Sequence, residues 1–295
     1  MMIGALSRLR EKRMSGYSLS SHCEPPLVSI VTTCKGRLDH LQQTIDRMLA
    51  QPQAQVVVVD YSCPQAVGDW VERCYPKARV VRVPGRQVYN ASHSRNVGAL
   101  QTATPWLLFV DADVLLAPDF LEQWLPRLQT SHSYHARPWI PSSMGTFLCT
   151  REAYDKIQGF DECMQGWGDE DRDFIARLSL AGYQADAYPV GLISIIEHSD
   201  ALRMQNHAVN ERQLSATINR TYINVKHDLM RLYGDELPLK RRRVLYQKVS
   251  SRVREAFQSR RVVEFAVPVV DRLQPTGWQC QSSLHYRVSP PTGVD

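Results

Sequence analysis

The stretch VSIVTTCKGRLDHLQQTI (28–45) decides the class of fold, because it joins a strand pattern directly to a helix pattern. With the preceding leucine, its first part is the β-branched run LVSIVTTC (27–34), which predicts a buried strand. Leucine and isoleucine then recur every three or four residues, which predicts a helix. The same alternation continues along the chain. Further strands are predicted at VVVV (56–59), VVRV (80–83) and WLLFV (106–110), with helices at 64–75 and 92–103, the latter with Ser92 as its N-cap.

Strands that alternate with helices imply βαβ units, in which neighbouring strands are parallel. Continuous apolar strands agree with this arrangement, because a strand covered on both faces has no polar side. The predicted fold class is therefore α/β, with a Rossmann-like, mostly parallel sheet and helices on both faces.

The rest of the chain is less regular. After residue 205 the apolar residues recur at helical spacing, which predicts a helical C-terminal extension over 206–295. Residues 1–26 are polar, basic and without periodicity, and predict a mobile N-terminal arm. In the remaining segment we predict loop and short strand at 131–150, helices at 151–158 and 171–182, and a strand at 191–197.

Composition excludes several classes of protein. The 295 residues are 43% hydrophobic and 22% charged, as in an ordinary globular protein, and no apolar run approaches the roughly 20 residues of a membrane span. The seven cysteines form no CxxC pair, which favours a reduced, cytoplasmic protein over a disulfide framework. The excess positive charge lies in residues 238–261, with nine basic groups and one acid. This segment predicts peripheral contact with an anionic membrane, contact with an anionic polysaccharide, or a solvated helix face.

Polar side chains follow three of the predicted strands. Lys35 and Arg37 follow the first strand, Asp60 follows the second, and Asp111 and Asp113 follow the fourth. Ligands of open α/β sheets bind at the carboxyl ends of the strands, so these side chains are expected to line one crevice. Two carboxylates around one turn are suited to Mg²⁺ or Mn²⁺ together with substrate phosphates. We therefore predict a phosphate-bearing ligand held through a metal ion.

The segment GWGDEDRD (166–173) holds four carboxylates within five residues. For Asp169 and Asp173 we predict that they complement the N-terminal dipole of the following helix. Trp167 lies between two glycines, whose freedom of backbone torsion allows the ring to move or to lie over a ligand. Stacking on a sugar ring is one reading of Trp167, and a buried anchor for the helix is the other.

These motifs together resemble a known family. The stretch 28–45, the strand end at Asp60, SRNVGAL (94–100) and Asp111-Ala112-Asp113 resemble the nucleotide-binding half of family 2 glycosyltransferases with the glycosyltransferase A fold. GFDECMQGWGDEDRDF (159–174) resembles the galactosyltransferase-type module of β-1,4-galactosyltransferases and bacterial capsule or chondroitin-type polymerases. The resemblance implies a catalytic domain over 27–205, with a nucleotide-binding half at 27–113 and an acceptor and catalytic half at 114–205.

The resemblance also implies roles for individual residues. Asp171 corresponds to the catalytic base, and Glu170 to a residue that binds sugar hydroxyls. Arg172 departs from the family pattern, which commonly has another acid there, and this leaves the identity of the acceptor open. The implied ligands of Mn²⁺ or Mg²⁺ are Asp113, His198 and Asp111. The implied donor-binding residues are Lys35, Arg37, Asp60, Arg95, Asp111 and Trp167.

The implied function is that of a metal-dependent, inverting glycosyltransferase. It would move a hexose or N-acetylhexosamine from a UDP-sugar to a hydroxyl of a glycan or lipid-linked glycan, in surface polysaccharide biosynthesis at the inner face of the membrane. No nucleic acid partner is expected. The alternatives are a metal-dependent phosphohydrolase or nucleotidyltransferase, for which no paired HxD motifs are present, and a non-catalytic protein that binds nucleotide-sugar or nucleic acid.

Overall fold

The computed structural model describes residues 25–140, 143–209, 211–269 and 282–290. Apart from its last two residues, the arm predicted at 1–26 lies outside the described residues. The first half of the chain forms the predicted alternation of strands and helices. Its elements are β1 (Val28–Cys34), α1 (Leu38–Leu49), β2 (Ala54–Asp60), α2 (Val67–Cys74), β3 (Arg79–Arg82), α3 (Ala91–Leu100) and β4 (Trp106–Phe109).

The second half adds strands that the sequence pattern predicted only in part. The segment 131–150, predicted as loop and short strand, supplies two strands of the main sheet. The strand at 184–189 was missed because alanine, aspartate and proline, which make up most of it, are uncommon in strands. The elements are β5 (Val114–Leu116), α4 (Phe120–Trp124), β6 (His132–Arg137), β7 (Phe147–Thr150), α5 (Arg151–Lys156), α6 (Glu170–Leu180), β8 (Gln184–Pro189), β9 (Ile193–Ile195) and α7 (Asp200–Met204).

The sheet has seven strands in the order β3-β2-β1-β4-β7-β6-β8. Strands β3, β2, β1 and β4 are parallel, whereas β7 runs antiparallel to both of its neighbours. Alternate residues of β2 show that both faces are covered. Val56 and Val58 pack in the core beneath α1, and Val57 and Val59 pack in the core on the other side. The predicted α/β class with a mostly parallel sheet is confirmed.

A helical segment follows the sheet, as predicted. It consists of α8 (Arg212–Tyr233), which ends at Gly234 in the left-handed conformation, and α9 (Leu239–Ser259). The extension is not entirely helical, because β10 (Val263–Val269) and β11 (Ser282–Val288) form an antiparallel pair that packs on these helices. Cys163 and Met164, from the loop before α6, belong to the same core, so the extension packs against this loop.

Buried charges connect α6 to the extension. Asp161 accepts hydrogen bonds from the Tyr222 hydroxyl at 2.7 Å and from Lys226 Nζ at 2.8 Å, and it pairs with Arg242 at 3.1 Å. Asp173 contacts Lys226 Nζ at 2.5 Å and also pairs with Arg177 and His227. Burial alone would raise the pKa of Asp161, but the Lys226 ammonium lowers that pKa to about 2.

The predicted cap of α3 is wrong, because Asn90 rather than Ser92 caps this helix, with its side chain accepting the His93 N–H. Asp169 stands at the N-cap of α6 and Asp173 in its first turn, where the sequence predicted acids that complement the helix dipole. Their carboxylates also make contacts that the sequence did not indicate. Asp173 is fully buried among cations, and Asp169 pairs with Arg220 and makes no side-chain capping hydrogen bond.

Lys226→Met is expected to lower the free energy of unfolding by about 3–5 kcal/mol, because two buried carboxylates lose their shared cation. Urea unfolding followed by circular dichroism measures this difference. In the wild type, Asp161 has a folded pKa of about 2, below the unfolded value of about 3.9. Its contribution to stability is therefore present above the unfolded value and lost as the pH falls toward 2. The variant should lose this pH dependence.

The matched control is Arg231→Met, which removes an exposed ion pair with Asp228 from the same helix. An exposed pair is worth about 0–1 kcal/mol, so this variant should unfold almost as the wild type does. Equal losses in the two variants would show that the buried network does not stabilise the fold.

Candidate active site

A cleft of about 840 Å³ opens at the carboxyl ends of β1 and β4. Two of its walls come from these strand ends and from the start of α6, as the sequence predicted. Ten residues were predicted for the site, and nine of them line this cleft. They are Lys35, Arg37, Arg95, Asp111, Asp113, Trp167, Glu170, Asp171 and His198.

The tenth residue, Asp60, lies outside the cleft lining. Its two carboxylate oxygens accept the backbone N–H groups of Cys63 at 2.8 Å and Gly68 at 3.0 Å. In this structure Asp60 therefore closes the connection between β2 and α2. Its predicted contact with the donor stays a prediction.

Lys35 lines the cleft, but its ammonium group is directed at the protein. Nζ donates to the carbonyl oxygens of Tyr61 at 3.2 Å, Ser62 at 2.9 Å and Arg86 at 2.7 Å. Lys35 thus holds together the loops that follow the first three strands. Its predicted contact with the donor stays a prediction.

Asp113 and His198 meet because β5 pairs with β9. His198 Nε2 lies 2.6 Å from Asp113 Oδ2, and the His198 side chain is only 4% exposed. Arg37 Nη1 lies between them, at 3.0 Å from Asp113 Oδ2 and 2.7 Å from His198 Nε2. His198 is therefore a largely buried partner of Asp113 and Arg37.

The third predicted metal ligand, Asp111, is not brought to this pair, because its carboxylate binds Arg95 at 2.8 Å. Within the described part of the chain, no group of three or more His, Cys, Asp or Glu side chains is placed to hold a metal ion. Asp113 and His198 still fit a divalent cation, because a carboxylate and an imidazole are suitable donors and the remaining positions are commonly filled by phosphate oxygens and water. A bound cation would replace the contact with Arg37.

Arg95 is the centre of an acidic cluster. Its guanidinium lies 2.8 Å from Asp111 and from Asp171, and 3.3 Å from Glu170. The sequence resemblance assigned Arg95 to donor binding but did not indicate that three carboxylates share it. Those three acids come from two distant segments, after β4 and at the start of α6, and only the tertiary structure joins them.

The Asp171 carboxyl has the properties of a proton acceptor. Burial raises its pKa well above the ordinary range, the nearby Arg95 opposes this shift, and Glu170 and Asp111 add to it. Although Oδ1 of Asp171 lies near Arg95, it has no hydrogen-bond partner among the described residues. A raised pKa makes the carboxylate a stronger base near neutral pH.

The loop that carries Trp167 is held by α8. Ser215 Oγ accepts the Trp167 N–H at 2.7 Å, and the Asn219 amide donates to the carbonyl oxygen of Gly168 at 2.9 Å. Gly166 has a positive φ of 77°, and a Cβ there would lie 2.3 Å from Ser215 Oγ. Trp167 lines the cleft, with the Arg212 guanidinium over its ring at 4.6 Å.

Sequence reasoning missed one wall of the cleft entirely. Arg212, Ala216 and Arg220 of α8 line it, although the extension was predicted as a separate segment. The signal was present, because residues spaced by four lie on one face of a helix. What the sequence did not indicate is that this face turns toward the Trp167 loop.

Two family models match the chain. Residues 25–137 match the model described as glycosyltransferase-like family 2, and residues 129–201 match the model described as the N-terminal domain of galactosyltransferase. The matches follow each other in the order that the motifs predicted, and together they cover more than half of the 295 residues.

Solved structures show the same fold. The mannosyltransferase PcManGT from Pyrobaculum calidifontis, in complex with GDP-Man and Mn²⁺, is 16% identical, with a TM-score of 0.51, over 80% of this chain and 76% of that chain. S. aureus TarS in complex with UDP-GlcNAc is 13% identical, with a TM-score of 0.55, over 78% of this chain and 73% of that chain.

The order of the sheet and the likeness to these solved structures show the glycosyltransferase A fold. Both family models that match are glycosyltransferase models, so the sequence and the fold together support a glycosyltransferase.

Proposed function

We propose that this glycosyltransferase is metal-dependent and inverting, and that it moves a hexose or N-acetylhexosamine from a UDP-sugar to a hydroxyl of a glycan or lipid-linked glycan. The observation that carries the proposal is the placement of Asp171. Its partly buried carboxyl, with a raised pKa, lines the same cleft as the Asp113–His198 pair. Surface polysaccharide is the product class that the sequence resemblance supports.

Different residues of the cleft have different roles in this reaction. Asp171 accepts the proton of the acceptor hydroxyl as that oxygen attacks the anomeric carbon, and Glu170 binds sugar hydroxyls beside it. Attack from the face opposite to the leaving UDP is a single displacement and inverts the configuration. A cation held by Asp113 and His198 would offset the charge that develops on the departing diphosphate. Trp167 covers the donor sugar and excludes water.

The alternative of a phosphohydrolase or nucleotidyltransferase would use the same metal pair with water or a nucleotide as nucleophile. It leaves the Trp167 loop and the cluster around Asp171 without a role. A binding protein without catalysis would not need a carboxyl of raised pKa in the cleft.

Donor turnover tests the proposal most directly. The protein is incubated with Mn²⁺ and a set of UDP-sugars, with GDP-mannose for comparison, and release of the nucleoside diphosphate is followed with and without glycan acceptors. We expect release of UDP from at least one UDP-hexose or UDP-N-acetylhexosamine, and a product of inverted anomeric configuration by NMR. A retained configuration, or turnover of GDP-mannose alone, would contradict the proposal.

Membrane contact through α9 is the second part of the proposal. No helix among the described residues is both long and apolar enough to cross a membrane. Lys240 and Arg243 are exposed near the start of α9, next to the exposed apolar side chains of Leu239 and Val244, and Arg254 is exposed further along the same helix. Basic and apolar side chains on one helix suit the surface of an anionic bilayer. Arg242, in the same basic run, is buried against Asp161 and takes no part.

Replacing Lys240, Arg243 and Arg254 together by Gln is expected to weaken binding to anionic vesicles about 100-fold at low salt. Each basic residue near an anionic surface is worth roughly 1 kcal/mol, and 1.4 kcal/mol corresponds to a factor of about 10. Co-sedimentation with phosphatidylserine-containing vesicles measures the effect, and high salt should release the wild type.

The control removes the same charge from exposed positions elsewhere, by replacing Arg47, Arg73 and Lys77 with Gln. If the protein responds to its net charge alone, both triple variants bind equally weakly. That result, or binding that ignores salt, would contradict membrane contact through α9.

A further inference from the structure

The mouth of the cleft carries a set of arginines that the reaction scheme above does not use. Arg172 follows Asp171 on α6, and Arg212 and Arg220 lie on the facing side of α8. Ala216 lies between Arg212 and Arg220 on the same helix face, so this wall has a small side chain at its centre and a guanidinium group on either side. We name Arg172, Arg212 and Arg220 the arginine rim.

The charges of the cleft are unevenly divided. Among the described lining residues, Asp111, Glu170 and Asp171 gather around the single guanidinium of Arg95. At the rim, cations outnumber acids among the described ion pairs of Arg172 and Arg220, because these two arginines share the carboxylate of Asp169. The floor beside the predicted base is therefore negative, and the rim is positive.

The rim arginines are accessible to a ligand. The Arg172 side chain is 52% exposed and the Arg220 side chain is 45% exposed, although both contact Asp169. A guanidinium has five N–H donors in a planar fork, so an arginine that binds one carboxylate still has donors for a second anion. Carboxylate and phosphate groups match this fork with two parallel hydrogen bonds.

The position of the rim indicates which substrate it meets. The donor side of the cleft is formed by the ends of β1 and β4, with Arg37, Asp113 and His198. The rim lies on elements of the second half and the extension, and Arg172 is the next residue after the predicted base. Because Asp171 and Arg172 both line this cleft, a group bound at the rim shares the cleft with the hydroxyl that Asp171 deprotonates.

We propose that the acceptor is an anionic glycan, whose carboxylate or phosphate group lies on or next to the attacking sugar and binds Arg172, Arg212 and Arg220. This inference rests on the proposed glycosyl transfer and deepens it by naming the class of acceptor. The arginine at position 172, where the related galactosyltransferases commonly have an acid, belongs to this recognition.

The test compares acceptors that differ only in charge. Oligosaccharides ending in glucuronate or galacturonate are compared with their carboxyl-reduced neutral forms, and a phosphate-bearing set is compared with its dephosphorylated forms. Binding to the UDP-loaded protein is measured by calorimetry, and UDP release is measured with the donor that gives turnover. The two sets distinguish a carboxylate from a phosphate as the recognised group.

We expect at least one acidic oligosaccharide to bind about tenfold or more tightly than its neutral form, because a hydrogen bond to a charged group is worth that factor. This preference should weaken at high salt. Arg172→Gln and Arg212→Gln should each bring the acidic-to-neutral ratio of kcat/KM toward one. Arg231→Gln, on an exposed part of α8 outside the cleft, is the matched control and should leave the ratio as in the wild type.

Three results would overturn the inference. Equal use of acidic and neutral acceptors is the first, and failure of every acidic oligosaccharide to bind or to stimulate UDP release is the second. The third is a rise in the KM for the donor with an unaltered acidic-to-neutral ratio, which would assign the rim to the diphosphate. Absence of any donor turnover or UDP binding would instead count against the proposed function itself.

Discussion

Asp171→Asn is expected to lower sugar transfer by a factor of about 10² to 10⁴, which is the usual contribution of a general base. Asparagine has nearly the shape of aspartate and can still contact Arg95, so the acidic cluster keeps its packing. It cannot accept a proton from the acceptor hydroxyl. Binding of the UDP-sugar, measured by calorimetry, should therefore stay close to that of the wild type while transfer is lost.

Glu170→Gln is the control for this variant, because Glu170 lies in the same cluster and contacts the same guanidinium. We expect a smaller loss of transfer, since Glu170 is assigned to binding sugar hydroxyls rather than to proton transfer. If Asp171→Asn transfers sugar at a near-normal rate and Glu170→Gln does not, the assignment of the base is wrong and Glu170 takes that role.

The pH dependence of transfer gives a second measure of the same group. Transfer requires the ionised carboxylate, and burial raises the pKa of Asp171 well above the ordinary value of about 3.9. The rate should therefore increase with pH as this carboxyl ionises. The midpoint of this increase in the pH–rate profile should lie above the pKa of an exposed aspartate. The residual rate of Asp171→Asn should not show this increase.

Asp113→Ala is expected to weaken the Mn²⁺-dependent binding of UDP and UDP-sugar by at least about 100-fold. The cation contributes several kcal/mol of charge stabilisation at the diphosphate, and the variant loses the carboxylate that would hold it. Calorimetric titration of UDP with and without Mn²⁺ measures the effect independently of transfer. In the wild type, excess EDTA should abolish activity, and Mn²⁺ should restore it better than Mg²⁺.

His198→Ala tests the other half of the pair and should show the same loss of metal dependence, because its Nε2 meets Asp113 Oδ2. Asp111→Asn distinguishes a direct ligand from a neighbour, since the structure pairs Asp111 with Arg95 instead. Full activity of the wild type in excess EDTA would show that Asp113 and His198 do not hold a catalytic cation.

The C-terminal extension forms part of the cleft. Ser215 and Asn219 of α8 hold the backbone on either side of Trp167, and Arg212 lies over its ring. The extension therefore contributes one wall of the cleft and supports the loop that carries Trp167. Lys226 and Arg242 join the same extension to α6 through buried aspartates.

The amino-acid sequence alone predicts the class of fold and most of the predicted residues that line the cleft. Periodicity identified the alternating strands and helices, because the pattern of apolar residues reports local secondary structure directly. The rule that ligands bind at the carboxyl ends of parallel strands then placed Arg37, Asp111 and Asp113 in one crevice. The acid-rich segment after Trp167 added Glu170 and Asp171 on the strength of its motif.

Which of these side chains contact each other depends on the tertiary structure. The Asp60 carboxylate accepts a backbone N–H of the loop that follows β2. The Asp111 carboxylate pairs with Arg95 and does not join Asp113 and His198. Asp173 and Arg242 are charged residues of the kind that a sequence pattern places at the surface, yet both are buried, because partners far along the chain neutralise them. Such pairings depend on the long-range packing of α6, α8 and α9, which local periodicity does not encode.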